Sequence, residues 1–164
     1  MSGTINSNIQ RMDAVQQALD EYENQHGLPK LHAPGTEDEL QQYLSMPRNV
    51  LEKLTKDQCA EIAYRLSQFA FYIQRLYNRE QSRLSWSKKS LHKYIADYLS
   101  TSSNQQFNYV PFESKIAILA RQDQEINKIY GIYYYADQRI RRLEFLSTSI
   151  KHLAETILAI GRNK

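Results

Sequence analysis

Cations and aromatic rings alternate along one stretch of the chain, and that stretch carries its most suggestive chemistry. Tyr72, Arg75, Arg79, Arg83, Trp86 and Lys93 step by helical spacings, with Lys89 near the edge of the row. Such spacings put side chains on one flank of a helix. Between Arg75 and Lys93 there are six Lys/Arg and one Asp/Glu. Cations at this density suit the phosphates of a flexible single strand, and the rings offer stacking surfaces worth about 1–3 kcal/mol per base. The bland alternative is a solvated helix face whose Tyr72 and Trp86 pack at a rim. No groove-reading motif accompanies the row, so sequence-specific reading of a duplex is not expected.

A second, thinner row follows. Lys128, Tyr135, Arg139 and Arg142 share one flank of a later helix, and Tyr130, Tyr134 and Arg141 share the other. The consecutive tyrosines Tyr133, Tyr134 and Tyr135 wrap a helix through about 200°, so they cannot all be core. Tyr133 points to the apolar seam; the other two meet water, another subunit or a base. A subunit contact is the plainer of these, because tyrosines are common anchors at interfaces. Gly131 costs about 1 kcal/mol relative to alanine inside a helix. It faces away from the seam, where a close approach or simple tolerance would explain it.

Readings as an enzyme find little support. His26, His32, His92 and His152 are scattered, with no pair at the spacing of a helical metal site. There is no glycine-rich phosphate loop and no nucleophile elbow. Glu37, Asp38 and Glu39 fall in a first helical turn, where acids are expected for dipole reasons. The lone Cys59 excludes an internal disulfide framework and reads as a small core residue. No catalytic residue, metal or cofactor is expected.

The rows need long helices to carry them. From Gln124 to Ile160 the residues Ile129, Ala136, Leu143, Ile150 and Ile157 recur every seventh position, with no proline and Gly131 as the single glycine. This predicts one coiled-coil-like helix of roughly 55 Å. From Lys56 to about Leu99 there is no breaker, and the stripe Cys59, Ile62, Leu66, Phe69, Ile73, Leu76 and Tyr77 resumes at Leu84, Leu91, Ile95 and Tyr98. Between those groups Glu80 and Ser87 face the seam, so the helix either frays there, with a break near Ser85–Ser90, or meets something polar. The expected fold is all-α: a long antiparallel hairpin of 56–99 against 124–160, braced by shorter helices.

Those shorter helices are marked by caps. Ser7 with Gln10 opens an acidic amphipathic helix over 7–26, carrying Ile9, Met12, Val15, Leu19 and Tyr22 inward; a mobile arm covering the basic rear is the alternative. A proline-bearing loop follows to Gly35. Thr36 with Glu39 opens a helix through Leu40, Tyr43 and Leu44, and Pro47 starts another over 47–54 with Val50, Leu51 and Leu54 inward. Thr55 with Gln58 opens the first long helix. Ser100 to Val110 reads as a linker, and Pro111 begins a helix with Phe112, Ile116 and Leu119 inward.

With 164 residues the chain suits one domain. It has three parts: an acidic helix over 7–26, a loop and short helices over 27–54, and a basic hairpin over 55–164. Through Glu61 there are 5 Lys/Arg against 10 Asp/Glu, and from Ile62 onward 16 against 8. A basic rear suggests a polyanionic partner. The longest uncharged apolar run, Ile129 to Ala136, is too short to span a bilayer, and the first residues lack a signal-peptide pattern. No membrane association is expected, and the cytoplasm is the expected compartment.

From Phe112 onward the chain carries "PFESKIAILARQDQEINKI" and then "YADQRIRRLEFLSTSIKHL", preceded by the basic, tyrosine-bearing "YIQRLYNREQSRLSW". Over about residues 60–160 this order of features resembles the UvsY-type recombination mediators of tailed bacteriophages, which for a phage-encoded protein would mean the host cytoplasm. The resemblance implies binding of single-stranded DNA without sequence preference and ring assembly through the C-terminal helix. It also implies a RecA-like recombinase and a single-strand binding protein as partners. On that pattern Arg75, Arg79 and Arg83 would contact DNA, and Leu143, Leu146, Ile150, Leu153, Ile157 and Ile160 would form a homo-oligomer seam. The expectation is a single-strand-binding recombination or replication accessory protein. A virion or scaffold component whose helices only assemble is the alternative.

Overall fold

The computed structural model describes residues 32–101 and 109–163, together with positions 14, 17, 21 and 25. The Ser7–Gln10 cap, the apolar stripe assigned to 7–26 and the centre of the Ser100–Val110 linker lie outside the described residues. The protein is all-α. Among the described residues its continuous helices are α1 (Glu37–Leu44), α2 (Arg48–Leu51), α3 (Lys56–Thr101), α4 (Phe112–Gln122), α5 (Gln124–Leu143) and α6 (Leu146–Arg162). Among the described residues no helix is long and apolar enough to cross a membrane.

Local chemistry sets most of the helix starts. Thr36 Oγ1 accepts from the Glu39 N–H at 3.2 Å. The Glu39 carboxylate does not return to Thr36, because it takes the Arg65 guanidinium at 3.0 Å and the Tyr43 hydroxyl at 3.0 Å instead. Thr55 and Gln58 form the full reciprocal box, with Gln58 Oε1 accepting from Thr55 N–H at 2.8 Å and Thr55 Oγ1 accepting from Gln58 N–H at 3.2 Å. Asp123 Oδ1 accepts from the N–H groups of Glu125 and Ile126 at 2.7 and 3.2 Å and opens α5. Pro47 sits immediately before α2. There Leu51 and Leu54 turn inward, whereas Val50, expected inward, is exposed.

α3 runs unbroken for 46 residues. Neither fraying nor a break occurs at Ser85–Ser90. The C-terminal helix departs from expectation in the opposite way: α5 ends at Leu143 and α6 begins at Leu146. Phe145 between them adopts φ 64°, a left-handed conformation that a bulky residue seldom takes. No proline or glycine marks this break, so the apolar pattern alone could not show it. The seven-residue row stays inward through Ile129, Ala136, Ile150 and Ile157, but it is divided between two helices.

The described chain forms two compact units, where the hairpin reading had one continuous seam. Residues 79–140 make the α4–α5 unit; residues 31–78 and 141–164 make the α6 unit. In the α6 unit, Cys59, Ala63, Leu66, Ala70 and Ile73 of α3 meet Ile150, Ala154 and Ile157 of α6. Cys59 is a buried free thiol, as its position suggests. A Cβ built on Gly161 would lie 2.8 Å from that of Cys59, and Ser147 Oγ donates to the Ala70 carbonyl at 2.9 Å. Those two pairs give α6 an antiparallel sense here, and the small residues allow the backbones to come close. In the α4–α5 unit, Leu91 and Ile95 of α3 pack with Ile116 and Leu119 of α4 and with Ile126 and Ile129 of α5.

Candidate functional site

The thin apolar middle of α3 meets polar partners. Ser87 is fully buried, and its hydroxyl donates to the carbonyls of Arg83 and Leu84 at 2.8 and 3.0 Å. A serine turned back onto its own helix in this way needs no partner from elsewhere. Glu80 is 4% exposed. Its Oε1 accepts from Arg83 Nη1 at 3.0 Å and from Arg139 Nη1 of α5 at 3.3 Å. A carboxylate this deep is costly unless paired, and here two guanidinium groups supply the pairing. Arg83 Nε, buried beside them, has no hydrogen-bond partner.

Glu80 fixes how the two basic rows lie within the α4–α5 unit. Arg139 meets α3 at Glu80, while Ile126 and Ile129 cluster with Leu91 and Ile95, so α5 runs antiparallel to this part of α3. Antiparallel helices turn in mirrored senses about their contact. The flank bearing Arg79, Arg83, Trp86, Lys89 and Lys93 therefore lies on the same side as the flank bearing Lys128, Tyr135 and Arg139. α4 occupies the other side: Phe112 stacks on His92 at a centroid distance of 4.0 Å, and Tyr133 Oη reaches Glu113 Oε1 at 3.4 Å. The basic side is left uncovered by α4.

Arg79, Lys89, Lys93, Lys128, Arg139 and the ring of Tyr135 are exposed on this side. Arg83 is half-buried and committed to Glu80. Trp86 is half-buried and packs on the apolar cluster, so its ring is mainly a core-rim residue. By register Asp97 and Glu125 lie toward the far end of the rows. With Glu80 they set three carboxylates against six cations, so among the described residues this face is positive. Tyr72 and Arg75 of α3 are half-buried members of the α6 unit, where Tyr72 packs on the core. Arg142 is exposed and also belongs to the α6 unit. The eleven residues singled out from the sequence thus divide between the two units, and eight of them share one face.

The stripe that the resemblance assigns to an oligomer seam packs within the α6 unit. Ile150 and Ile157 are 1% and 0% exposed inside the α6 unit. Leu143, Leu146 and Leu153 pack against the same core, and Ile160 is half-buried. Ile150 and Ile157 thus face α3 of their own chain, while Leu143, Leu146, Leu153 and Ile160 keep part of their surface.

Sequence reasoning placed Glu80 at the seam without finding what it meets. The signal was there in outline: a lone acid facing inward from a basic helix needs a cation from the facing helix, and Arg139 lies on the correct flank. The exposed rings of Tyr64 and Phe71, both on α3 in the α6 unit, were not singled out at all. No protein-family model, no curated protein and no solved structure matches the chain.

Proposed function

We propose that the protein binds single-stranded DNA without sequence preference and acts as an accessory in recombination or replication. The observation that carries this reading is the face of α3 and α5 that α4 leaves open, positive among the described residues, where an exposed Tyr135 stands between Lys128 and Arg139 on one helix and Lys89 and Lys93 line the other. Cations on such a face take the phosphates and release counterions, so binding weakens with salt. A ring can stack only on an unpaired base, which favours a single strand over a duplex. The mediator role, with a RecA-like recombinase and a single-strand binding protein as partners, rests on the resemblance of residues 60–160 alone. No catalytic step is proposed. Fluorescence anisotropy of a labelled single-stranded oligonucleotide tests the reading: tight binding at low salt that collapses on adding salt supports it, and no binding at micromolar protein in low salt rejects it.

A second reading is an assembly role without nucleic acid. It is favoured by Tyr64 and Phe71, each 64% exposed and seven residues apart on α3 in the α6 unit. Aromatic rings so placed suit a protein contact. The same titration separates the two, since this reading gives no binding of the oligonucleotide.

A further inference from the structure

Gly131 sits in the interior of α5, where glycine costs about 1 kcal/mol relative to alanine. Among the described residues nothing lies within 4 Å of a Cβ built there. No close packing inside the protein therefore calls for a glycine at this position. What the missing side chain does create is open space beside the helix at this half-buried position. Helical side chains lean toward the N-terminus, so Tyr134 and Tyr135, three and four residues on, flank the Gly131 position, and neither ring comes within 4 Å of a Cβ built there. The two rings meet edge to face, with centroids 6.1 Å apart and planes at 71°. They remain 52% and 70% exposed. Each braces the other without being covered. Lys128 lies one turn before the gap and Arg139 one turn beyond Tyr135, both exposed.

We infer that Gly131, Tyr134 and Tyr135 form a stacking position for one unpaired nucleobase, with Lys128 and Arg139 taking the phosphates on either side. The glycine keeps the space beside the rings clear so that a flat base can enter. Any larger side chain at 131 would fill that space. This rests on the single-strand-binding reading and deepens it by naming where a base, rather than the sugar-phosphate chain, is held. The charge of the flanking residues favours a nucleic acid over an apolar peptide as the occupant.

The test compares a thymidine oligonucleotide with an abasic oligomer of equal length and charge, by anisotropy at one fixed low salt concentration. The wild-type chain should prefer the oligonucleotide by about fivefold or more, the lower end of a single stacking contact. Tyr135→Leu should bring the two affinities together. Gly131→Leu should do the same while its melting temperature stays level or rises, since the added side chain enters open space and favours the helix. Gly131→Ala, a smaller intrusion, should lie between. A preference that persists in Tyr135→Leu and Gly131→Leu overturns the stacking position, as does equal binding of both oligomers by the wild type; salt-sensitive binding surviving in either case leaves the cationic face standing. Failure of the wild type to bind either oligomer overturns both proposals.

Discussion

Glu80 Oε1 lies 3.3 Å from Nη1 of Arg139, joining α3 to α5 through a carboxylate that is almost wholly buried. Arg83 bonds the same oxygen at 3.0 Å. The pairing gives Glu80 two opposed roles: it completes the packing, and it neutralises part of the face assigned to nucleic acid. Glu80→Gln keeps the shape and removes the charge. Its expected cost is about 1–3 kcal/mol in stability, short of the full buried-pair value because Arg139 is partly solvated. Affinity for a single-stranded oligonucleotide should rise at the same time. A variant that melts lower and binds no better would show that Arg83 and Arg139 do not contribute to the binding face.

Two helical glycines should respond to alanine with opposite signs. Gly161→Ala puts a methyl group 2.8 Å from the Cys59 Cβ, where one backbone must move. Overpacking of this kind costs about 1–3 kcal/mol. Gly131→Ala meets open space and should add about 0.5–1 kcal/mol. Urea midpoints at unchanged slope report both; a destabilised Gly131→Ala would mean that the gap is occupied.

The helices were legible in the sequence wherever their ends carry side-chain caps or prolines. Thr55 with Gln58 and Pro111 mark starts that the structure keeps. The break at Phe145 was not legible, because the buried positions on either side of it hold the same three-and-four spacing and no residue there is a habitual breaker. For the candidate site, the register of Arg79, Lys89, Lys93, Lys128 and Arg139 could be read directly. What could not be read was which rings remain free: Trp86 and Tyr135 look alike on a helical wheel, yet one packs on the core and the other is exposed. That difference depends on where α4 and α5 lie, which no local spacing encodes.

Burial of Ile157 in its own unit leads to a definite stability effect. Ile157→Ala should cost about 2–5 kcal/mol, as truncation of a fully buried aliphatic side chain does. The midpoint of unfolding should not depend on protein concentration. A midpoint that climbs with concentration in the wild type and loses that dependence in the variant would support the subunit-seam reading of α6 instead.

Tyr133 and Tyr43 make the protein sensitive to alkali. Burial first, and then the neighbouring Glu113 carboxylate, holds the Tyr133 phenol proton above its ordinary value; for Tyr43 burial again leads, followed by Glu39. An unfolded tyrosine releases its proton near pH 10, whereas the folded ones retain theirs to higher pH. Their contribution is complete below about pH 10 and is lost as pH rises through the raised folded values. Melting temperature should therefore fall more gently above pH 10 in Tyr133→Phe than in the wild type. Parallel curves for the two proteins would show that Tyr133 ionises alike in both states.

The central claim is that the face of α3 and α5 that α4 leaves open holds a single-stranded polyanion through its exposed cations. Its most direct test is the slope of log Kd against log salt for a labelled single-stranded oligonucleotide, measured for the wild type and for the triple variant Lys89→Ala, Lys93→Ala, Lys128→Ala. None of the three lysines is buried, so the variant should fold normally. The expected result is salt-sensitive binding whose slope shrinks by about 0.7 for each lysine that meets a phosphate, or about two in all. A slope unchanged in the triple variant, or no binding by the wild type at low salt, would contradict the account.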